Sequence, residues 1–343
     1  MIDKITFYIK DVDLDILERR LRKGGELDVV GIDWIRRVSK YGCYLRDKNI
    51  FIKINGATNK LQGYGSLHKF AKGNNYSIFT AQETINAIKD IGDILGISLD
   101  RFIITCIEIG VNMTMTKDPM RYIDMVHFYK KRPFIYMRPL KKSSKLKGKL
   151  CQFTEYVIKF YDKTFEARHP LSKEQKNSIP PNILRYEIEL HPKQYYMIGF
   201  KNIKASTLTA EKLLNPRFYS RFAKILREVF VRTELRDLGE NHKIKSLEEI
   251  KNYIFVMSDG YNLYRNYIKE YRLDEKEDAK EYKDVKKLKK YLEKEFESLK
   301  ETENVLELKS KFAEAINIVH DTRKFDTGKK EIDISWLSLI LQN

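Results

Sequence analysis

Hydrophobic and polar residues alternate along two stretches of this chain, 156–166 and 182–190, with the period of two expected of half-buried strands. In the first, Ile158 and Phe160 fall on one side, and Val157, Lys159, Tyr161 and Lys163 on the other. In the second, Leu184, Tyr186, Ile188 and Leu190 share a face, with Arg185, Glu187 and Glu189 on its reverse. Successive strand side chains point to opposite faces, so each run sorts its charges to one side. If the two strands are neighbours, a tyrosine, two lysines, an arginine and two glutamates meet on one sheet surface.

The rest of the chain supplies more strands and a few helices. Residues 1–10 alternate (Ile5, Phe7, Ile9 against Lys4, Thr6, Tyr8) and predict an opening strand. A short helix follows from Asp11, with acids in its first turn and Gly24-Gly25 as its stop. Strands are expected at 34–38, 43–45, 50–54, 65–70 and 76–79, joined by turn-rich links such as Asn55-Gly56 and the segment from Lys72 to Asn75. Thr80 and Glu83 then form a capping box. Ile85, Ile88, Ile91 and Leu95 supply the apolar stripe and Gly96 the stop.

Residues 102–115 read as a strand with Ile107, Ile109, Val111 and Met113 on one face and Glu108, Gly110, Asn112 and Thr114 on the other. Glu108 in so apolar a strand is costly without a partner. It reads either as part of an exposed sheet face or as a metal ligand or catalytic carboxylate. A helix is expected over 119–129, then a basic hairpin-like stretch, then the two runs described first.

Strands interleaved with single helices predict an α+β fold: a mainly antiparallel sheet with helices on one face. After Leu190 the pattern turns helical. Asn215-Pro216 opens a helix carrying Phe218, Phe222, Leu226 and Val229, Ser246 and Glu249 open another, and 274–300 reads as a long amphipathic helix. The division expected is a first domain over 1–205, which holds the strands, and a helical C-terminal domain over 206–343.

Composition narrows the class. The 343 residues are 42% hydrophobic and 33% charged, which describes a globular chain. No apolar run approaches the ~18 residues needed to span a bilayer, and the start lacks a signal-peptide core. A cytoplasmic protein without a membrane partner is expected. The 3 cysteines, Cys43, Cys106 and Cys151, have no CxxC spacing, which argues against a disulfide framework or a cysteine zinc site.

The net charge of +17 points to a polyanion partner. Lys130, Lys131, Arg132, Arg138, Lys141, Lys142, Lys145, Lys147 and Lys149 follow one another with no acid between them. These nine are the candidate nucleic-acid-binding residues. Phe134, Tyr136 and Phe153 interleave with them as faces on which unpaired bases could stack.

The chemistry centres on Tyr161. Most of the 21 tyrosines in such a chain line cores or interfaces, but this one sits in Lys-Phe-Tyr-Asp-Lys, opposite Arg-Tyr-Glu-Ile-Glu. Tyrosine attacks phosphorus in enzymes that conserve the energy of a broken DNA strand as a covalent phosphotyrosine. Its ordinary pKa near ~10 calls for help from cations, here Lys159 and Lys163, or from a divalent metal. Mg²⁺ or Mn²⁺ needs only one or two protein carboxylates besides waters and substrate phosphate. Glu108, Glu166, Glu187 and Glu189 are the candidates.

The block from Phe160 to Glu166, followed by Leu184-Arg-Tyr-Glu-Ile-Glu189, resembles the active-site block of rolling-circle replication initiators, especially the filamentous-phage gene II/X type of phage/plasmid replication protein. Staphylococcal-type plasmid initiators show a similar arrangement. Ser66-Leu-His-Lys-Phe70, the segment from Gly73 to Asn75, and the stretch from Glu108 to Asn112 are also similar to that group, so the resemblance covers about residues 1–200.

It implies that Tyr161 is the nicking nucleophile, leaving a 3′-hydroxyl and a 5′-phosphotyrosyl link. Glu108, Glu187 and Glu189 would hold the metal, while Arg185 and Lys163 steady the scissile phosphate. The implied partners are origin DNA, single-stranded or in a hairpin, with host helicase and polymerase; a homodimer stays open. One departure stands out. Better-known relatives bind metal through a histidine–hydrophobic–histidine triplet, whereas the 6 histidines here are scattered, with His68 and His191 the two retained as candidate ligands. Two other readings remain: a mobilisation relaxase with the same tyrosine chemistry, and a non-enzymatic origin-binding or copy-control protein.

Overall fold

The computed structural model describes residues 1–23, 41–45, 49–137, 147–169, 176–191, 208–237, 246–248 and 302–319, with positions 251, 287, 290 and 294. In chain order these form β1 (Ile2–Ile9), α1 (Leu14–Lys23), β2 (Tyr41–Leu45), β3 (Ile50–Asn55), β4 (Lys60–Ser66), α2 (Leu67–Lys72), α3 (Ala81–Leu95), β5 (Ile103–Thr114) and α4 (Pro119–Asp124). Then come β6 (Val126–Tyr129), β7 (Arg132–Pro133), β8 (Ile135–Tyr136), β9 (Gly148–Gln152), β10 (Tyr156–Asp162), α5 (Lys163–Arg168) and β11 (Ile183–Leu190). The described elements end with α6 (Arg217–Val231), β12 (Thr233–Leu235) and α7 (Glu303–Val319).

The architecture is α+β, built on a 9-stranded sheet ordered β2-β3-β4-β1-β5-β11-β10-β9-β8. Its strand pairs are antiparallel. A 3-stranded sheet, β12-β6-β7, accompanies it. The alternation read in the sequence becomes two chemically different sheet faces. Ile5, Ile52, Leu61, Ile107, Ile109, Ile158, Phe160, Leu184, Tyr186 and Ile188 are buried on one, at the centre of the core. Against it pack α6 and α7. Phe230 and Phe312 stack at 3.9 Å with an interplanar angle of 13°, and each meets the Tyr186 ring edge-on. Each such aromatic buries enough apolar surface to contribute ~1.5–3 kcal/mol.

Several expected elements take a different form. The chain after Ser66 is helical, because the Ser66 hydroxyl accepts from the Lys69 amide as an N-cap and Gly73, at φ 71°, closes the helix. The strand expected at 65–70 is therefore β4 followed by α2. Residues 76–79 are irregular: Asn74 Oδ1 accepts from the amides of Tyr76 and Ser77, an Asx-type turn that competes with a ladder. The helix expected over 119–129 stops at Asp124, and Val126–Tyr129 pairs with β12 and β7.

The run 156–166 is likewise not all strand. Asp162 ends β10 by accepting from the Phe165 amide, so Lys163 begins a helix. The capping box at Thr80 and Glu83 forms as expected, and α3 ends at Gly96. Asn215 accepts from the Arg217 amide at the start of α6. The expected strand at 34–38 and helix over 274–300 fall outside the described residues, but for isolated positions 287, 290 and 294. Helix α7, unread in the sequence, shares the core of the sheet.

Candidate active site

The polar face of the sheet carries the site. β10 and β11 pair so that Tyr161 lies opposite Arg185 and Lys159 opposite Glu187, while β11 and β5 place Glu189 opposite Glu108 and Glu187 opposite Gly110. Side chains at such paired positions stand about 4.5–5.5 Å apart at Cβ, close enough for charged groups to meet. β1 adds a further residue through an irregularity. Ile2 pairs with Ile109 and Lys4 with Glu108, leaving Asp3 as the extra residue of a bulge. Bulges re-aim side chains, and here Asp3 reaches Arg185, with Oδ2 at 2.8 Å from Nη2, while its Oδ1 accepts from Ser66 Oγ at 2.5 Å.

The result is a dense ionic network. Tyr161 Oη donates to Glu187 Oε2 at 3.1 Å, and Arg185 Nε donates to the same oxygen at 2.7 Å. Lys159 Nζ lies 3.0 Å from Glu108, 3.1 Å from Glu187 and 2.9 Å from Glu189. Lys4 closes the edge at 3.4 Å from Glu108. Arg185 Nη1 also donates to Asn112 Oδ1 and to the Asn75 carbonyl.

Two glycines stand where any side chain would collide with the site. A Cβ on Gly110 would lie 2.7 Å from Glu187 Cβ, and one on Gly148 would lie 2.5 Å from Tyr161 Cβ. Neither contact is sterically tolerable, so any larger residue would displace the glutamate or the tyrosine.

Burial and charge set the protonation states. Burial, reinforced by the Glu187 carboxylate, raises the Tyr161 phenol well above its ordinary value, so the resting group is protonated. Burial pushes Glu108 up to about 7, and neighbouring Glu187 adds to this against the pull of Lys159. Burial also opposes charge on Glu187 and Asp3, but nearby cations outweigh it. Arg185 and Lys159 lower Glu187, and Arg185 with Lys163 takes Asp3 down to about 2. Lys159 is raised above its ordinary value because Glu187 and Glu108 outweigh its desolvation.

Asp3, Glu108 and Glu187, all buried, each offer an oxygen within 4.8 Å of the others. This hard, all-oxygen donor set suits Mg²⁺ or Mn²⁺. The Lys159 ammonium, 3.0 Å from Glu108 and 3.1 Å from Glu187, stands among these oxygens where positive charge is favoured. The donor set therefore fits such an ion, which would take the place now filled by the Lys159 charge.

The other expected residues are placed differently. Glu166 pairs with Lys163 and, at 4.0 Å, with Lys69, outside the three-carboxylate group. Lys163 is fully buried at the start of α5, with Nζ 5.8 Å from the Tyr161 ring centroid and bonded to Glu166. His68 is buried, stacked on Phe79 and bonded to Ser77, and burial lowers it to about 3. His191 sits 3.2 Å from Glu189.

In the basic stretch, Lys130, Lys131, Arg132 and Lys147 are exposed, whereas Arg138, Lys141, Lys142 and Lys145 lie outside the described residues. Lys149 is a correction: it is 6% exposed, and its Nζ donates to the carbonyls of Asp124 and Val126. Two of the expected stacking rings are likewise engaged. Phe134 is buried edge-on against Phe160, and Phe153 is sandwiched by Tyr156 and Arg132. Tyr136 is 56% exposed, although Lys149 Nζ lies 4.9 Å from its ring centroid and its hydroxyl donates to Asp124 Oδ1.

The sequence reading missed Asp3, because a bulge residue breaks the alternation that identifies a face. It also missed the steric roles of Gly110 and Gly148, which only the strand register reveals. No protein-family model matches the chain, and no curated protein matches it by sequence. Among the described residues no helix is long and apolar enough to cross a membrane.

Proposed function

We propose that the chain is a metal-dependent tyrosine nickase that initiates rolling-circle replication of DNA, with a nuclease-like sheet of the initiator type. The observation that carries the proposal is the Tyr161 hydroxyl bonded to Glu187 beside Asp3, Glu108, Arg185 and Lys159. Apolar packing alone accounts for most buried tyrosines; it does not account for one tied into a network of this composition.

The step balances as a transesterification. Tyr161 Oη attacks the scissile phosphorus and its proton passes to Glu187 Oε2, the acceptor already within hydrogen-bond reach. The bond from phosphorus to the 3′ oxygen breaks, and that oxygen leaves with a proton from solvent. The products are a 3′-hydroxyl, a primer for host polymerase, and a 5′-phosphotyrosyl link that a later 3′-hydroxyl reverses. Asp3, Glu108 and Glu187 would hold Mg²⁺ or Mn²⁺, which when bound polarises the phosphate. Arg185 and Lys159, both paired with Glu187, would stabilise the negative charge that develops on the phosphate. Tyr161 is 8% exposed, so DNA reaches its hydroxyl only as neighbouring side chains move aside.

Lys130, Lys131, Arg132 and Lys147, with the exposed part of the Tyr136 ring, would meet the backbone and bases of a single-stranded or hairpin origin. Incubation with supercoiled origin plasmid and Mg²⁺ or Mn²⁺ tests the proposal. The expected products are a nicked circle and a covalent protein–DNA adduct, both lost in Tyr161→Phe while the DNA shift persists. A shift without nicking in the native chain would instead identify an origin-binding protein, and nicking that survives in Tyr161→Phe would remove Tyr161 from the chemistry.

A further inference from the structure

A second group of ligand atoms lies further along the same sheet face, with a different chemical character. Cys106 on β5, Glu189 on β11 and His191 just beyond β11 present a sulfur, a carboxylate oxygen and an imidazole nitrogen, all within 4.8 Å of one another. The strand register explains the convergence. Glu189 pairs with Glu108 and Leu190 with Ile107, so the next step along the ladder brings His191 level with Cys106.

The glutamate is already divided between two neighbours. Its Oε2 holds Lys159 at 2.9 Å, whereas its Oε1 faces His191 Nε2 at 3.2 Å. An ion at Oε1 therefore leaves the Lys159 contact in place. All three residues are of intermediate exposure, so the group opens to solvent, unlike the buried carboxylates beside it.

We infer that Cys106, Glu189 and His191 form a second cation site, selective for a borderline transition metal of the Zn²⁺ class. Thiolate and imidazole donors favour such ions over Mg²⁺, which prefers hard oxygens. Three protein ligands plus one solvent position make an open tetrahedral site. Bond lengths of ~2.0–2.3 Å set neighbouring ligand atoms about 3.3–3.8 Å apart, close to the 3.2 Å already between Glu189 Oε1 and His191 Nε2, with a ligand atom of each residue within 4.8 Å of the others. On binding, the Cys106 thiol gives its proton to solvent and the imidazole enters neutral. The inference stands independently of nickase activity, since it uses no DNA and neither Tyr161 nor Asp3.

Co²⁺ is the probe, added to the full chain after chelator treatment. We expect a near-ultraviolet thiolate-to-cobalt absorption that saturates at one ion per chain and bleaches when Zn²⁺ is added. Cys106→Ser abolishes the band. His191→Ala, at a side chain 40% exposed whose loss spares the core, weakens Co²⁺ binding at least about tenfold. Tyr161→Phe leaves the band unchanged. Absence of the band in the native chain, its survival in Cys106→Ser, or unaltered affinity in a folded His191→Ala would each overturn the assignment.

Discussion

Arg185 Nη2 lies 2.8 Å from Asp3 Oδ2, tying the first strand of the chain to the strand that carries the candidate site. The same guanidinium binds Glu187 through Nε, so one planar fork serves two buried carboxylates. Arg185→Met would leave both without that partner. Removing one member of a buried pair typically costs ~3–5 kcal/mol, and that loss is the expected result in a urea titration. Arg185→Lys should recover only part of it, because a single ammonium does not span both acids. Equal stability of the Met and native proteins would show that the network contributes nothing.

Glu108 and Asp3 make opposite contributions to pH dependence. Glu108 is raised to about 7, so between its ordinary 4.5 and that value the folded chain holds more protons than the unfolded one. Its contribution to stability is complete below pH 4.5 and lost as pH rises through about 7. Asp3 is lowered to about 2 from 3.8, so its contribution is present above 3.8 and lost as pH falls through about 2. Melting temperatures should show Glu108→Gln flattening the decline across pH 4.5 to 7 while leaving the acid limb intact.

The same proton competes with metal. Mn²⁺ affinity at Asp3, Glu108 and Glu187 should fall up to ~tenfold for each pH unit below about 7, as Glu108 protonates. Lys159→Met removes the ammonium that stands between Glu108 and Glu187 and should tighten Mn²⁺ binding. Calorimetric titration at two pH values, on the native and variant chains, checks both expectations. A weaker site in Lys159→Met would mean that the lysine organises the carboxylates rather than competing for them.

The sheet faces were legible because they rest on the strict period of a strand. Tyr161, Lys159, Arg185, Glu187, Glu189 and Glu108 fall on one face by counting alone, and the register brings them together. What could not be counted was decided by local hydrogen bonds or by distant packing. Ser66 and Asp162 turn strand patterns into helices by capping, which hides Lys163 at a helix start. Lys149 alternates like a surface residue, yet it lies against α4 and β6, whose carbonyls it satisfies. Helix α7 lacks a sharp signal of its own, and its place is set by the ring of Phe312 against Tyr186.

That packing bears on the expected division at residue 205. The apolar face that carries Phe160 and Tyr186 is covered by Phe230 of α6 and Phe312 of α7. A fragment of residues 1–205 would expose these rings and should fail to give a cooperative unfolding transition. Phe312→Ala in the whole chain should cost ~3–5 kcal/mol, the usual range for deleting a buried aromatic ring. A fragment that melts cooperatively near the native temperature would show instead that the first 205 residues form a domain by themselves.

The basic stretch separates cations that can meet DNA from one that holds the fold. Lys130 and Lys131 form the exposed turn between β6 and β7, at φ 49° and 66°, and Lys147 is exposed before β9. Every phosphate that such a cation no longer neutralises should reduce the slope of log affinity against log salt by ~0.7–0.9. Neutralising all three to Gln is therefore expected to flatten the slope by up to ~2–3, with little change in melting temperature. Lys149→Met should do the reverse. Its ammonium donates to two backbone carbonyls, so its loss leaves those oxygens without that partner and lowers stability by ~1–3 kcal/mol. Fluorescence anisotropy on a labelled single strand, measured across a salt series, separates the two outcomes. An unchanged slope in the triple variant would place the DNA track elsewhere on the surface, and a flattened slope in Lys149→Met with native stability would return that lysine to the interface.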